Sequence, residues 1–252
     1  MRRWLGFYAA VIYAFLYLPL VLLSVFSFNA SRFTVWEGFS LTWYRAVFRD
    51  PELAEAAWNS LVIAAASTLV ATAAGTLCAY ALWKRRSALA SGSLMLSLVT
   101  PEIVTGIALL AFFQWLFRYV GAQLGMHTVV LAHVSFSLAY VVIVVLARLR
   151  TLDPALEEAA MDLGATEWRA FREVTLPALA PGIAAAALLA FTVSLDDYVI
   201  TSLVAGVDSE TLPMRIYAMA RRGASPVVNA VSTLMVVALG ALVLLFERLR
   251  ER

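Results

Sequence analysis

Residues Thr128–Pro181 read TVVLAHVSFSLAYVVIVVLARLRTLDPALEEAAMDLGATEWRAFREVTLPALAP, and the two halves of this stretch require different surroundings. From Thr128 to Ala147 no Asp, Glu, Lys or Arg occurs. A hydrocarbon core of about 30 Å takes about 20 apolar residues in a helix, so this window predicts a membrane span. From Thr151 onward the chain carries Glu157, Glu158, Asp162, Glu167 and Glu173 and belongs in water.

Working outward, five more windows of the same kind appear, which places spans at about residues 6–28, 58–83, 89–117, 128–147, 182–207 and 227–246. Arg2 and Arg3 precede the first, as in a signal peptide, but its apolar run exceeds the roughly 7–15 residues of such a segment and no small-x-small cleavage site follows. It is read as a membrane anchor. Composition agrees: 62% of the 252 residues are hydrophobic and 14% charged, against about 45–50% and about 25% in soluble domains. A net charge of +2 provides no basic surface for nucleic acid. The single cysteine, Cys78, excludes a disulfide framework, and His127 and His133 leave no basis for a metal site. The fold class is an all-α integral membrane protein, read as one transmembrane domain over residues 1–252.

With six crossings both termini share a side. Twelve of the 19 Lys and Arg fall there, including the short-loop cluster Lys84-Arg85-Arg86, and seven fall opposite. Positive charge collects on the cytoplasmic side, so both termini are expected in the cytoplasm. The acidic loop, about residues 151–180, is then cytoplasmic, and the loops Asn29–Glu55 and Gly206–Pro226 face outward. The latter holds Asp208, Glu210, Arg215, Arg221 and Arg222, either a solvated surface or a docking face for an external binding protein.

The acidic loop is punctuated as two short helices. Asp153 before Pro154 is an N-cap with proline in the first helical position. Gly164 ends that helix, Thr166 with Glu167 opens the next, and Pro177 closes it. Two readings stay open, an amphipathic pair lying on the membrane or a compact knob for a soluble partner. Five acids disfavour contact with an anionic leaflet.

These residues also resemble a known family. Glu158-Ala159-Ala160, then Gly164, Val174 and Leu176-Pro177 match the E-A-A-x-x-x-G-x9-I-x-L-P loop of ABC importer permeases, with valine for isoleucine. Phe28-Asn29, Ser31-Arg32-Phe33, Trp43-Tyr44, Ser194 to Tyr198, Thr201, Gly206, Thr211-Leu212-Pro213, Ile216-Tyr217, Arg222-Gly223 and Pro226 look like the second permease subunit of spermidine/putrescine importers. The resemblance implies the type I ABC importer permease fold, in which this loop is the coupling helix. It implies that Glu158 makes polar contacts in a cleft of the ATPase, that Ala159 and Ala160 allow close approach, and that Gly164 permits the turn. It implies as partners a second permease subunit in a heterodimer, two ATP-binding subunits and a periplasmic solute-binding protein, with membrane lipid around the whole. ATP and Mg would be held by those ATPase subunits and no cofactor by this chain, which has no G-x-x-x-x-G-K-[ST] motif.

Ionisable groups inside a bilayer are costly and normally face a cavity or a partner. Asp196 lies about 21 Å along a helix from Gly182, and Glu102 an equal distance from Ala88, so Glu102, Asp196 and Asp197 would form one acidic layer nearer the outside. A polyamine, a polycation with an apolar stem, suits such a layer flanked by Tyr198, Tyr217 and Trp115. The plainer alternative is that the aspartates cap or kink a broken helix and that Glu102 satisfies backbone freed by Pro101. His133 is either a proton relay or a packed hydrogen-bonding residue. An ATP-independent secondary cation transporter and an intramembrane enzyme are the competing functions; the latter is disfavoured because the sequence shows no H-E-x-x-H and no Ser/His or Cys/His constellation in matched spans.

Overall fold

The computed structural model describes residues 2–33, 35–85, 87–223 and 225–250. Arg86 and Arg252, both part of the charge asymmetry, lie outside the described residues. In chain order the α-helices are α1 (Arg2–Phe26), α2 (Thr42–Arg49), α3 (Pro51–Lys84), α4 (Ala88–Val99), α5 (Glu102–Val120), α6 (Met126–Leu149), α7 (Ala155–Asp162), α8 (Glu167–Ala170), α9 (Leu176–Asp196), α10 (Val199–Val204), α11 (Leu212–Arg221) and α12 (Pro226–Arg250). Among the described residues six segments are long and apolar enough to cross a membrane: Trp4–Phe26, Pro51–Lys84, Glu102–Val120, Met126–Leu149, Glu167–Asp196 and Pro226–Arg248.

The third expected span, 89–117, is two helices, α4 and α5, parted at Thr100-Pro101 where the sequence places its proline. The fifth needs correction. It does not run from 182 to 207; its helix begins at Glu167, passes through a π-helical turn at Phe171–Thr175, and ends at Asp196. Pro177 therefore closes nothing. A proline inside a helix clashes with the carbonyl four residues back, but here it stands at the start of α9, where the wider π turn has just reset the hydrogen-bond register. The second helix of the acidic loop is thus continuous with the fifth span.

The chain forms two compact units, residues 1–56 with 214–252, and residues 57–213. In the first, α12 packs on α1 and α2, and the loop after α1 is knotted around one buried asparagine. Asn29 donates to the carbonyls of Val35 and Phe33 at 2.7 and 3.2 Å and accepts from the Glu37 N–H at 3.0 Å. Trp43 Nε1 donates to the Asn29 carbonyl, and the Phe28 ring lies against Phe39 and Tyr44. Glu52 and Arg215 form an ion pair.

In the second unit α6 is the central helix. Val141, Val142, Val145 and Leu149 are fully buried against Ala71 and Ala79 of α3 and Leu179, Ala186 and Ala190 of α9. Toward the other end of α6, Val129 and Ala132 meet Ile63, Phe113, Ile200 and Val204. Small residues on α3 and α9 let the backbones approach, the packing mode that works where lipid removes the hydrophobic drive between helices. At the far end Gly206 meets the Leu124–Gly125 backbone; a Cβ there would lie 2.0 Å from the Leu124 carbonyl oxygen.

Gly206→Ala must displace backbone, and overpacking of this kind costs about 1–3 kcal/mol. Thermal unfolding of the purified protein in detergent is expected at a clearly lower temperature for Gly206→Ala, and unchanged or raised for Gly240→Ala, whose Cβ meets open space.

Candidate functional site

Two helix breaks face one cavity. At the first, α4 ends because Pro101 has no N–H to continue the ladder, and Thr100 closes the end by donating its hydroxyl to the Leu96 carbonyl at 2.7 Å. The helix restarts at Glu102, with the Val104 and Thr105 N–H groups bonded to the Pro101 carbonyl at 2.9 and 3.2 Å. At the second, Asp197 leaves the helix with φ −65° and ψ 126°. Its carboxylate then accepts from the Thr201 N–H at 2.8 Å, the Thr201 hydroxyl at 2.7 Å and the Ile200 N–H at 3.4 Å, which satisfies the first turn of α10.

Behind this break runs a buried polar chain. His133 Nε2 meets the Thr201 hydroxyl at 2.9 Å and Asp197 Oδ2 at 3.5 Å. Its Nδ1 meets the Ser194 hydroxyl at 2.6 Å, and Ser194 in turn meets Ser67 at 3.0 Å. His133 is packed between helices, 1% exposed, against Ser194 and Asp197, a Ser/His grouping the sequence did not reveal because His133 and Ser194 stand 61 positions apart.

In front of the breaks lies a cavity of about 490 Å³, walled by Ser97 to Glu102, Thr105, Phe136, Tyr140, Val193 and Asp196 to Ile200. It brings together Glu102, Asp196, Asp197 and Tyr198, four of the six residues expected in or beside the acidic layer. Asp196 and Glu102 are exposed, whereas Asp197 turns most of its carboxylate toward the α10 backbone. Tyr217 falls in the other unit, 44% exposed, with the Arg221 guanidinium 5.7 Å from its ring. Trp115 lies on an exposed face of α5 and is not among the cavity's walls. Tyr140 and Thr105 were not singled out in the sequence; a tyrosine in an apolar window gives no sign of where its hydroxyl goes. Among the described residues no Lys, Arg or His lines this cavity; the C-terminal ends of α4 and α9 border it, and so do the starts of α5 and α10, so helix-dipole ends of both signs meet there. Among the described residues no group of three His, Cys, Asp or Glu is placed to hold a metal ion.

The residues of the acidic loop form a second feature. Asp153 Oδ1 accepts from the Ala155 N–H at 3.0 Å and starts α7. The helix ends in a Schellman turn: the Ala165 N–H reaches the Ala160 carbonyl at 3.1 Å and the Gly164 N–H reaches Met161 at 2.9 Å. Gly164 has φ +90°, a conformation that side chains rarely adopt. The Thr166 hydroxyl then accepts from the Arg169 N–H and starts α8. Glu158, Ala159 and Gly164 are exposed, Ala160 is half-buried, and Leu156, Leu163 and Trp168 stand beside them in the open, Leu163 at 90%. Leu176 is half-buried and Pro177 exposed on the first turn of α9. Glu157 departs from the surface reading of the acids: it is buried.

Residues 71–252 match the family described as binding-protein-dependent transport system inner membrane component. The chain is 41% identical over 246 residues to the spermidine/putrescine transport system permease protein PotC of Haemophilus influenzae, covering 96% of this chain and 94% of that one. It is 43% identical over 235 residues to the putrescine transport system permease protein PotI of Escherichia coli, covering 90% and 84%. Among solved structures, a chain of a bacterial ABC transporter that imports the acidic polysaccharide alginate superposes with a TM-score of 0.78 at 18% identity, covering 100% of this chain and 96% of that one. A chain of the MetNI methionine ABC transporter, inward facing, superposes at 0.68 with 19% identity, covering 79% and 94%.

The hydrogen bonds divide the aspartate pair. Loss of a helix cap costs about 0.5–2 kcal/mol, so Asp197→Ala is expected to lower the unfolding temperature in detergent clearly more than Asp196→Ala. Equal shifts would show that the carboxylate of Asp197 does not hold α10.

Proposed function

The chain belongs to the family of binding-protein-dependent transport system inner membrane components, and we propose that it carries polyamines such as spermidine and putrescine as one permease subunit of an ATP-driven importer. The observation that carries the substrate is the cavity: two exposed carboxylates and a third beside them, aromatic walls and, among the described residues, no lining cation. A polyamine presents spaced ammonium groups on a flexible apolar stem. Asp196 and Glu102 suit the ammonium groups, and Phe136, Tyr140 and Tyr198 suit the stem and the cation–π contact. The fold supplies no such discrimination, since a transporter named for an acidic polysaccharide shares it.

The subunit is a multi-pass inner-membrane protein and not an enzyme. We place both termini and the α7–α8 pair in the cytoplasm, on the charge asymmetry. There Glu158, Ala159, Ala160 and Gly164, with the exposed Leu163 and Trp168, form a knob that seats on an ATPase subunit. ATP and Mg stay in that partner; a second permease subunit completes a heterodimer, and a periplasmic binding protein delivers the solute. Residues 1–252 act as one permease domain. Because α8 continues through the π turn into α9, a displacement of the knob is carried along roughly 45 Å of helix to Asp196, at about 1.5 Å per residue. ATP-driven closure of the ATPases thereby opens the cavity outward, and hydrolysis resets it.

The experiment is uptake by the complete complex in proteoliposomes. Asp196→Asn combined with Asp197→Asn is expected to reduce spermidine uptake about tenfold or more, the effect of about 1.4 kcal/mol, without abolishing ATP hydrolysis. Gly164→Asp is expected to insert normally and to hydrolyse ATP without transport. Unchanged spermidine uptake in the first variant removes the acidic layer from the path, and coupled uptake in the second removes the knob from ATPase docking.

A further inference from the structure

Glu157 and Glu158 are adjacent in sequence and opposite in burial. Successive residues on a helix point about 100° apart, and on α7 this turns Glu158 outward and leaves Glu157 3% exposed. The Glu157 carboxylate accepts a hydrogen bond from the Tyr80 hydroxyl through Oε1, and its Oε2 lies 3.3 Å from Lys84 Nζ. Both partners sit in the last turns of α3. The Tyr80 ring is also packed on Phe171 in the π turn, centroids 4.4 Å apart, and Lys84 lies over the rings of Tyr80 and Trp83 at 5.8 and 5.3 Å. A buried carboxylate is expensive unless paired, so this position is not a solvated acid that happens to be covered.

The cavity has two walls, and they reach the cytoplasmic pair differently. The Val193–Asp196 wall is covalently continuous with α8. The Ser97–Glu102 wall belongs to α4 and α5, and α4 starts at Ala88, four residues past Lys84. No helix joins α7 to that wall. Apolar contact is non-directional and permits sliding, whereas a carboxylate that accepts from the Tyr80 hydroxyl through one oxygen and forms an ion pair with Lys84 through the other favours one register.

We propose that Glu157 is the positioning residue that ties α7 to the end of α3, so that movement of the cytoplasmic pair reaches the α4–α5 wall of the cavity as well as the α9 wall. This rests on the reading of the pair as the ATPase-docking element and adds the route by which it moves the second wall.

The test reads the two walls separately. In a Cys78→Ser background, Ser97→Cys and Val193→Cys place one thiol on each wall, and labelling by a water-soluble maleimide is compared in the assembled complex with and without ATP and vanadate. With Glu157 present, both thiols are expected to change their labelling rate with nucleotide. In Glu157→Ala the change at residue 97 is expected to shrink by roughly 5-fold or more, the low end of coupling between sites, while the change at residue 193 persists. Tyr80→Phe, a smaller perturbation, should act in the same direction and serves if Glu157→Ala fails to assemble. The proposal is overturned if residue 97 still responds fully, or if both positions lose their response together, as a disrupted fold would produce. Should neither thiol respond even with Glu157 intact, the docking reading itself fails, and that outcome is distinct from loss at one wall.

Discussion

The N–H groups of Ile200 and Thr201 lie at a helix start within an otherwise apolar region, and the carboxylate of Asp197 takes both. Hydrocarbon offers no partner for a freed backbone group, so a broken helix at membrane depth persists only where protein or a cavity satisfies it. That requirement governs the second unit. The α9–α10 break exists because an aspartate supplies the missing acceptor, and the α4–α5 break exists because Thr100 and the Pro101 carbonyl close the two ends. Each break leaves residues that no regular helix could present, and both open onto the same space.

The same requirement separates the two aspartates. Asp197 is committed to α10 and, through Thr201, to His133 on α6, which holds Ser194 on α9 and beyond it Ser67 on α3. One side chain thereby fixes four helices in register around the break. Asp196, one residue earlier and exposed, carries no such duty and is left for whatever enters the cavity. A buried network whose members all find partners rigidifies its site, and a rigid scaffold beneath Asp196 keeps an exposed carboxylate aimed at one place.

The spans, the two breaks and the Gly164 turn were legible in the sequence because each has a local cause: an uncharged window, a proline, an acidic pair, a residue that alone tolerates φ +90°. The juxtaposition of Glu102, Asp196, Asp197 and Tyr198 was legible as an acidic layer because depth along a helix follows from counting residues. What escaped depends on tertiary contacts. Nothing local separates Glu157 from Glu158, since which one is buried is decided by Tyr80 and Lys84 some seventy residues away. The π turn has no composition signal, so Pro177 looked like an ending. Tyr140 is one of several tyrosines in apolar windows, and only its neighbours assign it to the cavity. Tyr217 is not among the cavity residues for the complementary reason: an aromatic between two spans, here on α11, resembles a lining residue by type alone.

Continuity through the π turn has a consequence for how such a subunit divides its labour. A helix that runs unbroken from an exposed knob to a break beside a cavity is stiff along its axis, and stiffness delivers displacement without specifying cargo. On the proposed function, cargo is specified where the helix stops, by side chains that the break exposes. The fold can therefore be shared with a transporter of an acidic polysaccharide at 18% identity, while the cavity here is lined by acids and, among the described residues, by no cation. On the proposed function, a change of solute would need new residues at the two helix breaks, and a change of ATPase partner a new surface on α7 and α8. The two sets share no position; α8 and α9 join them as one run of helix on one side, and Glu157 is the link proposed on the other.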